Sequence, residues 1–294
     1  MLFPGIIPAV ITPFTDDDAV DVAGLRANVE ALLGAGMTGL VATGTMGEAG
    51  SLDEAERRLV VETCVDAAAG RVPVIVGVSS GSTAASSRYA RAAAEAGASA
   101  VMCLPPLNYR GTARELAAFY DAVGAAGGLP IMAYNNPEAS GTDLVAGVIA
   151  QLAADVPAVC AVKECSGDAR RIAALLEATE LEVLVGGDDW ALEGFAAGAT
   201  GWVSGVANVV PAPCAELLAH VQAGRLEEAR AVYRRLLPLA RLDMTPHLVQ
   251  YFKGAMDAVG LRGGRVRPPR LELDDHGREI LRQAVAALHE AVPA

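Results

Sequence analysis

Lys163 closes the apolar run Val159-Cys160-Ala161-Val162-Lys163, in a chain of 294 residues that contains one other lysine, Lys253, against 21 arginines. Arginine therefore supplies the ordinary surface positive charge, and a lysine in such a run invites a chemical explanation. Enclosure disfavours the ammonium form, so the pKa of a buried lysine falls and a neutral, nucleophilic amine becomes available. That amine can condense with a ketone to form a Schiff base. The competing reading is a lysine at a strand end whose stem packs on apolar neighbours while its ammonium reaches water, and the local sequence leaves both open. Lys253 lies in Tyr251-Phe252-Lys253-Gly254-Ala255. It is expected on a C-terminal helix, facing solvent or a neighbouring element, with no chemistry of its own.

Three further segments carry groups suited to carbonyl chemistry. In Thr43-Gly44-Thr45-Met46-Gly47-Glu48 two glycines let backbone N–H groups approach a ligand, and Thr45 adds a hydroxyl; such a loop suits a carboxylate. Tyr134-Asn135-Asn136-Pro137 offers a phenol and two amides, with proline ending the run. Gly186-Gly187-Asp188-Asp189 offers two carboxylates, as metal ligands or helix caps, and capping is the better reading because a helical pattern begins at Trp190. Each segment also has a plain reading: glycine-rich turns are common after strands, and a tyrosine ending an apolar run is often a core residue with a satisfied hydroxyl. A buried amine, a phenol and an anion-cradling loop on one face would together be the parts needed for chemistry on a 2-oxo acid.

The elements that must bring them together are legible as a repeat. Short apolar, β-branched runs fall at residues 6–14, 39–44, 72–78, 100–104, 130–134, 159–163, 181–185 and 201–206. Between them lie Ala- and Leu-rich stretches of 3.6-residue periodicity, such as 22–33, 53–69, 84–96 and 112–123. Near-continuous apolar strands alternating with helices mean a parallel sheet buried on both faces. Eight such units predict an α/β fold, the TIM (β/α)8 barrel, and no Gly-x-Gly-x-x-Gly turn follows the first strand as a doubly wound sheet would favour. Candidate helices at 212–223, 226–239, 248–259 and 274–291 exceed what closes a barrel. The expected division is therefore a barrel over residues 1–223 and a C-terminal helical extension over residues 224–294. In a TIM barrel the chemistry gathers where strands end and βα loops begin, which is where Lys163, Tyr134, Thr45 and Gly187 fall.

Composition narrows the partners. With 52% apolar residues the chain can bury a large core, and its formal charge of -12, without a basic block, argues against nucleic acid. Neither a signal-peptide pattern nor an apolar run of about 18 residues is present, so a cytoplasmic, soluble protein without membrane association is expected. The five cysteines (64, 103, 160, 165 and 214) show no C-x-x-C spacing and read as reduced core residues, and the four histidines lack metal-ligand spacing. No metal or cofactor is expected.

The residues carry a resemblance to the dihydrodipicolinate synthase and N-acetylneuraminate lyase family of Schiff-base-forming barrels. It rests on the opening Pro8-Ala9-Val10-Ile11-Thr12-Pro13-Phe14, the segment Gly39-Leu40-Val41-Ala42-Thr43-Gly44-Thr45-Met46-Gly47-Glu48, and Tyr134-Asn135-Asn136-Pro137 followed by Lys163-Glu164. The resemblance implies that Lys163 forms the imine, that Tyr134 relays protons and that Thr45 joins the tyrosine's hydrogen-bond chain. It further implies substrate contacts at Gly44, Met46, Gly47, Gly187 and Val203, and a homotetramer built as a dimer of dimers. A tyrosine supplied by a neighbouring subunit aligns near Asn108, and Tyr109 beside it is the candidate for that proton relay.

Departures from the family pattern bear on the reaction. The synthases carry two threonines where this chain has Thr45-Met46, and an arginine two residues beyond the proline of the tyrosine segment, where Pro137-Glu138-Ala139 offers alanine. Loss of that guanidinium removes a bidentate clamp for a second substrate's carboxylate. Together with Leu242-Asp243-Met244-Thr245-Pro246, this makes the chain resemble catabolic members that act on a 2-oxo or cyclic imino acid. Pyrroline-4-hydroxy-2-carboxylate deaminase is the preferred expectation, ahead of dehydratases and aldolases of 2-keto-3-deoxy sugar acids. The alternatives are 4-hydroxy-tetrahydrodipicolinate synthase, with Arg110 replacing the missing arginine, and a barrel that binds a small acid without turning it over.

Overall fold

The computed structural model describes residues 2, 3 and 5–288. Its eight strands are β1 (Gly5–Pro8), β2 (Leu40–Ala42), β3 (Val74–Gly77), β4 (Ala100–Cys103), β5 (Ile131–Asn135), β6 (Val159–Glu164), β7 (Glu182–Val185) and β8 (Gly201–Ser204). They pair in parallel in the order β1-β8-β7-β6-β5-β4-β3-β2, and the bridge between Ala9 and Val41 brings the first and last of the series together. The helices α1 (Val22–Gly34), α2 (Glu54–Ala68), α3 (Thr83–Glu95), α4 (Ala113–Gly127), a short α5 (Pro137–Ser140), α6 (Ala146–Asp155), α7 (Arg170–Ala178), α8 (Ala191–Ala196) and α9 (Pro211–Gln222) alternate with the strands. This is the expected TIM barrel.

The local chemistry explains the alternation. Strands such as β3 (Val-Ile-Val-Gly) and β4 (Ala-Val-Met-Cys) are buried at each position, as the covered faces of a parallel barrel require. The helices between them start on side-chain caps: Asp53 with Glu56 and Thr112 with Glu115 form capping boxes, while Asp21 and Ser82 accept from backbone N–H groups of the first turn. Each cap satisfies donors that the helix itself cannot.

Several strands are shorter than their apolar runs. The first was expected to reach residue 14 but leaves the sheet after Pro8. Ala9 and Val10 still donate to Ser204 and Val41, whereas the Ile11 N–H turns to the side chain of Asn208. The second ends at Ala42 because Thr43 takes a left-handed backbone (φ 52°) and swings the following loop over the barrel mouth. Gly77 makes this possible, since a Cβ there would lie 2.3 Å from the Thr43 carbonyl oxygen.

Beyond α9 follow α10 (Leu226–Ala240), a 3-10 turn over Arg241–Met244, α11 (Leu248–Ala258) and α12 (Asp275–Ala287). Residues 289–291 of the last expected helix lie outside the described residues. These C-terminal helices share one continuous apolar core with the barrel, contributing Leu236, Phe252 and Met256 to it. They also lay the turn containing Asp243 across the mouth of the barrel, where it enters the site. Among the described residues no helix is long and apolar enough to cross a membrane.

Candidate active site

Register places the two central groups. Tyr134 on β5 pairs with Lys163 on β6, and partners across a parallel ladder share a face, so both side chains enter the barrel interior. Both are buried, and the Lys163 Nζ stands 4.1 Å from the centroid of the Tyr134 ring. The reading in which the Lys163 ammonium reaches bulk water is overturned by this placement. The next residues along, Asn135 and Glu164, point the other way: the Asn135 amide donates to Glu164 (2.9 Å), and its carbonyl accepts from the Leu144 N–H (2.8 Å). Of the two amides, only Asn136 serves the site, donating from Nδ2 to the Tyr134 hydroxyl (3.0 Å) while its Oδ1 caps α5 through the Ala139 N–H.

These groups line a cavity of about 190 Å³ at the carboxyl ends of the strands. Gly44, Thr45 and Met46 line it from the loop after β2, and Val203 from β8. Two expected contacts fall elsewhere. Of the two glycines that follow β7, Gly186 borders the cavity and Gly187 does not, its Cα facing the Trp190 indole; one step along the chain turns a residue away. Gly47 lies behind the loop, where its carbonyl accepts from the Thr12 hydroxyl (2.8 Å). Thr45 and Tyr134 share the cavity, yet among the described residues the hydrogen bond to the phenol comes from Asn136 and none joins it to Thr45. Tyr109 is exposed and donates to Glu115 (2.7 Å), outside the cavity of its own chain, and Arg110 is exposed beside it.

The sequence reading of Asp188 as a helix cap is corrected. Asp188 is fully buried; its Oδ1 accepts from the Trp202 indole N–H (2.9 Å) and the Gly205 N–H (3.2 Å), and its Oδ2 from the Val206 N–H (2.7 Å). It ties the end of β8 to the end of β7, and no cap bond of its side chain starts α8. Its own N–H donates to Asp243 Oδ2 (3.3 Å), which fixes Asp243 on the cavity wall. Asp243 lies in Leu242-Asp243-Met244-Thr245-Pro246, a segment that bears on the resemblance to catabolic members but carries no local signal of a place in the site. Among the described residues no group of three or more His, Cys, Asp or Glu is placed to hold a metal ion.

The electrostatics run against the sequence expectation for Lys163. Burial drives its pKa down, but the acidic groups of Tyr134, Cys165 and Asp243 together outweigh burial and leave it above its ordinary value. Burial pushes Tyr134 up to about 12 against the opposing pull of Lys163, so its phenol keeps its proton at neutral pH. Asp243 is pushed up to about 6 by burial, with Lys163 and the Asp188 N–H pulling it back. At neutral pH the resting pair is therefore an ammonium facing a carboxylate across the cavity.

Lys253 lies on a C-terminal helix and faces a neighbouring element, the second of its two expected surroundings: it is buried, 2.6 Å from Glu48 Oε1. It contacts the Arg265 carbonyl as well and sits 4.2 Å from the centroid of the Phe14 ring. Glu48 takes a left-handed backbone (φ 51°) at the end of the loop over the cavity, and its Oε2 accepts from the Arg267 N–H (3.1 Å). The scarcity of lysine, which singles out Lys163, applied equally to this residue.

A closed parallel barrel with a lysine and a tyrosine paired on adjacent strands, under a glycine-rich loop, defines a class of carbonyl-processing barrels. The model of the dihydrodipicolinate synthetase family matches residues 2–288. The chain belongs to that family, whose enzymes are lyases. It is 36% identical over 295 residues, 98% of each chain, to the 4-hydroxy-tetrahydrodipicolinate synthase of Methanothrix thermoacetophila. A putative dihydrodipicolinate synthetase from Pseudomonas aeruginosa superposes with a TM-score of 0.92 at 36% identity, covering 98% of this chain and 99% of that one. A prophage protein of the dihydrodipicolinic acid synthase family from E. coli, solved in complex with pyruvate, gives 0.92 at 26% identity, with 98% and 99% covered.

Proposed function

We propose that this chain is a Schiff-base-forming lyase in which Lys163 condenses with the carbonyl carbon of a 2-oxo acid. The observation that carries the reading is the pairing of Tyr134 with Lys163 on adjacent strands of one cavity. The substrate carboxylate lies against the backbone N–H groups of residues 44–46. Once its proton has left, the Lys163 amine attacks C2, and the carbinolamine loses water to give a protonated imine. That imine accepts the electron pair released when a bond at C3 breaks, and its positive charge is neutralised as the enamine forms. Tyr134 supplies and removes protons, oriented by Asn136. Tyr109 is assigned to a neighbouring subunit's site in a homotetramer.

The relatives are named 4-hydroxy-tetrahydrodipicolinate synthase, which supports that reaction as the first reading for this site, with pyruvate and aspartate semialdehyde as the pair that the family resemblance implies. A second reading, the catabolic deaminase or aldolase, is favoured by two observations: Ala139 stands on the cavity wall where the synthases carry a carboxylate-binding arginine, and Asp243 stands there too. Borohydride reduction with pyruvate, read by intact mass, tests the imine. The expected result is one adduct on wild type and none on Lys163→Ala; the same adduct on both would remove the proposal. Release of ammonia, aldehyde and pyruvate across a substrate panel then separates the two reactions, and a higher kcat/KM for the synthase pair would set the catabolic reading aside.

A further inference from the structure

The cavity has an unusual charge balance. Among the described residues Lys163 is the only basic side chain on its wall, whereas Asp243 and Glu138 are both acidic. The loop that accepts a substrate carboxylate follows β2, while Asp243 is anchored over the end of β7 with β1 and β8 between them. The two ends of a bound substrate therefore meet different chemistry.

Asp243 is also held in a poised state. Its Oδ2 is fixed by the Asp188 N–H (3.3 Å), itself part of a wholly buried residue whose carboxylate accepts three further bonds. The other oxygen of Asp243 accepts no hydrogen bond from the described residues. Nor does Asp243 form an ion pair with Lys163, although its charge acts on the ammonium. A carboxylate on a cavity wall, with one oxygen committed to the scaffold and the other free, leaves room for a donor from a ligand.

We propose that Asp243 is a specificity-determining residue. Its free oxygen accepts a hydrogen from a hydroxyl or ammonium group carried beyond the imine carbon, and its charge rejects substrates whose far end is a second carboxylate. The inference rests on the imine reading of Lys163 and sides with the catabolic of the two reactions, since aspartate semialdehyde would bring a second carboxylate into the same cavity. Burial raises the Asp243 carboxyl to about 6, while the Lys163 ammonium and the Asp188 N–H favour its charged form. A donor hydrogen-bonded to a carboxylate contributes about tenfold to a hundredfold in affinity, and a like charge in the same enclosed place subtracts on that scale.

The test uses imine trapping, which needs no knowledge of the natural substrate. Total borohydride-modified Lys163 is measured against concentration of three probes: pyruvate, which has no far end, 4-hydroxy-2-oxobutanoate and 2-oxoglutarate. On wild type the hydroxylated acid is expected to reach half-maximal trapping at a concentration at least tenfold below 2-oxoglutarate. Asp243→Asn should narrow that ratio at least tenfold while still trapping pyruvate, and Asp243→Glu should restore part of it. Comparing two probes on one enzyme cancels any change in the amine itself. An unchanged ratio in Asp243→Asn, or a wild-type preference for 2-oxoglutarate, overturns the assignment. Failure of wild type to trap pyruvate overturns the imine reading beneath it and is a distinct result.

Discussion

Glu48 and Lys253 form an ion pair of 2.6 Å between side chains that are both sealed from solvent, and it joins the loop over the cavity to α11 of the C-terminal helices. Burial pushes the Lys253 ammonium below its ordinary pKa, with Glu48 as the main force opposing that shift. The pair works as an internal brace: a backbone turned into the left-handed region at Glu48 is held there from the far end of the sequence.

Removing Lys253 leaves the buried Glu48 carboxylate with only the more distant, partly exposed Arg270 (3.6 Å) as a cationic partner, which is a costly case. Lys253→Met is expected to lower unfolding stability by about 3–5 kcal/mol, and Lys253→Met with Glu48→Gln to cost less than the two single changes summed. Denaturant unfolding of the four proteins measures the coupling. Strict additivity would mean that the pair contributes nothing as a pair.

The raised pKa of Lys163 sets a direction for pH dependence. Imine formation consumes the neutral amine, and a folded-state pKa above the ordinary value keeps that form scarce until strongly alkaline pH. The rate of pyruvate trapping should therefore climb about tenfold per unit between pH 7 and 9, without a plateau. An amine dominated by burial alone would instead level off within that range. Asp243→Asn removes a carboxylate that sustains the ammonium and should move the profile toward lower pH.

How far the sequence could be read follows from the kind of contact involved. Strand count, barrel class and the Lys163–Tyr134 pair were legible because apolar runs, their alternation with helices and the residues ending them are local signals. Asp243, the Glu48–Lys253 brace and the true bonds of Asp188 were not, since each depends on a contact between distant segments. Parity was the other obstacle. Asn135 against Asn136, and Gly186 against Gly187, differ by one step that reverses which way a residue faces, and the apolar runs extend past the points where the strands end.

Tyr134 keeps its proton at neutral pH and receives a hydrogen bond from Asn136, so the two should act as donor and positioner. Tyr134→Phe is expected to slow imine formation about a hundredfold or more, with the adduct mass unchanged. Asn136→Ala should slow it about tenfold and also cost about 1 kcal/mol through the lost cap on α5. A change in stability for Asn136→Ala with no change in trapping rate would leave it as a cap alone.

Gly186 gives the sharpest test of how closely the nucleophile is positioned. A Cβ at this residue would lie 2.7 Å from the Glu164 carbonyl oxygen, 2.8 Å from the Cys165 Cβ and 3.0 Å from the Lys163 Cε. The first of these is backbone within the β6–β7 ladder, to which the Gly186 N–H also donates (2.6 Å), so the strands resist moving apart. The lysine stem is the part free to shift. Displacing a reacting group by about 1 Å costs about a hundredfold in rate. Gly186→Ala should therefore reduce pyruvate trapping at Lys163 by about that factor while the protein remains folded by circular dichroism, and trapping at the wild-type rate would show that the stem is not confined as its neighbours imply.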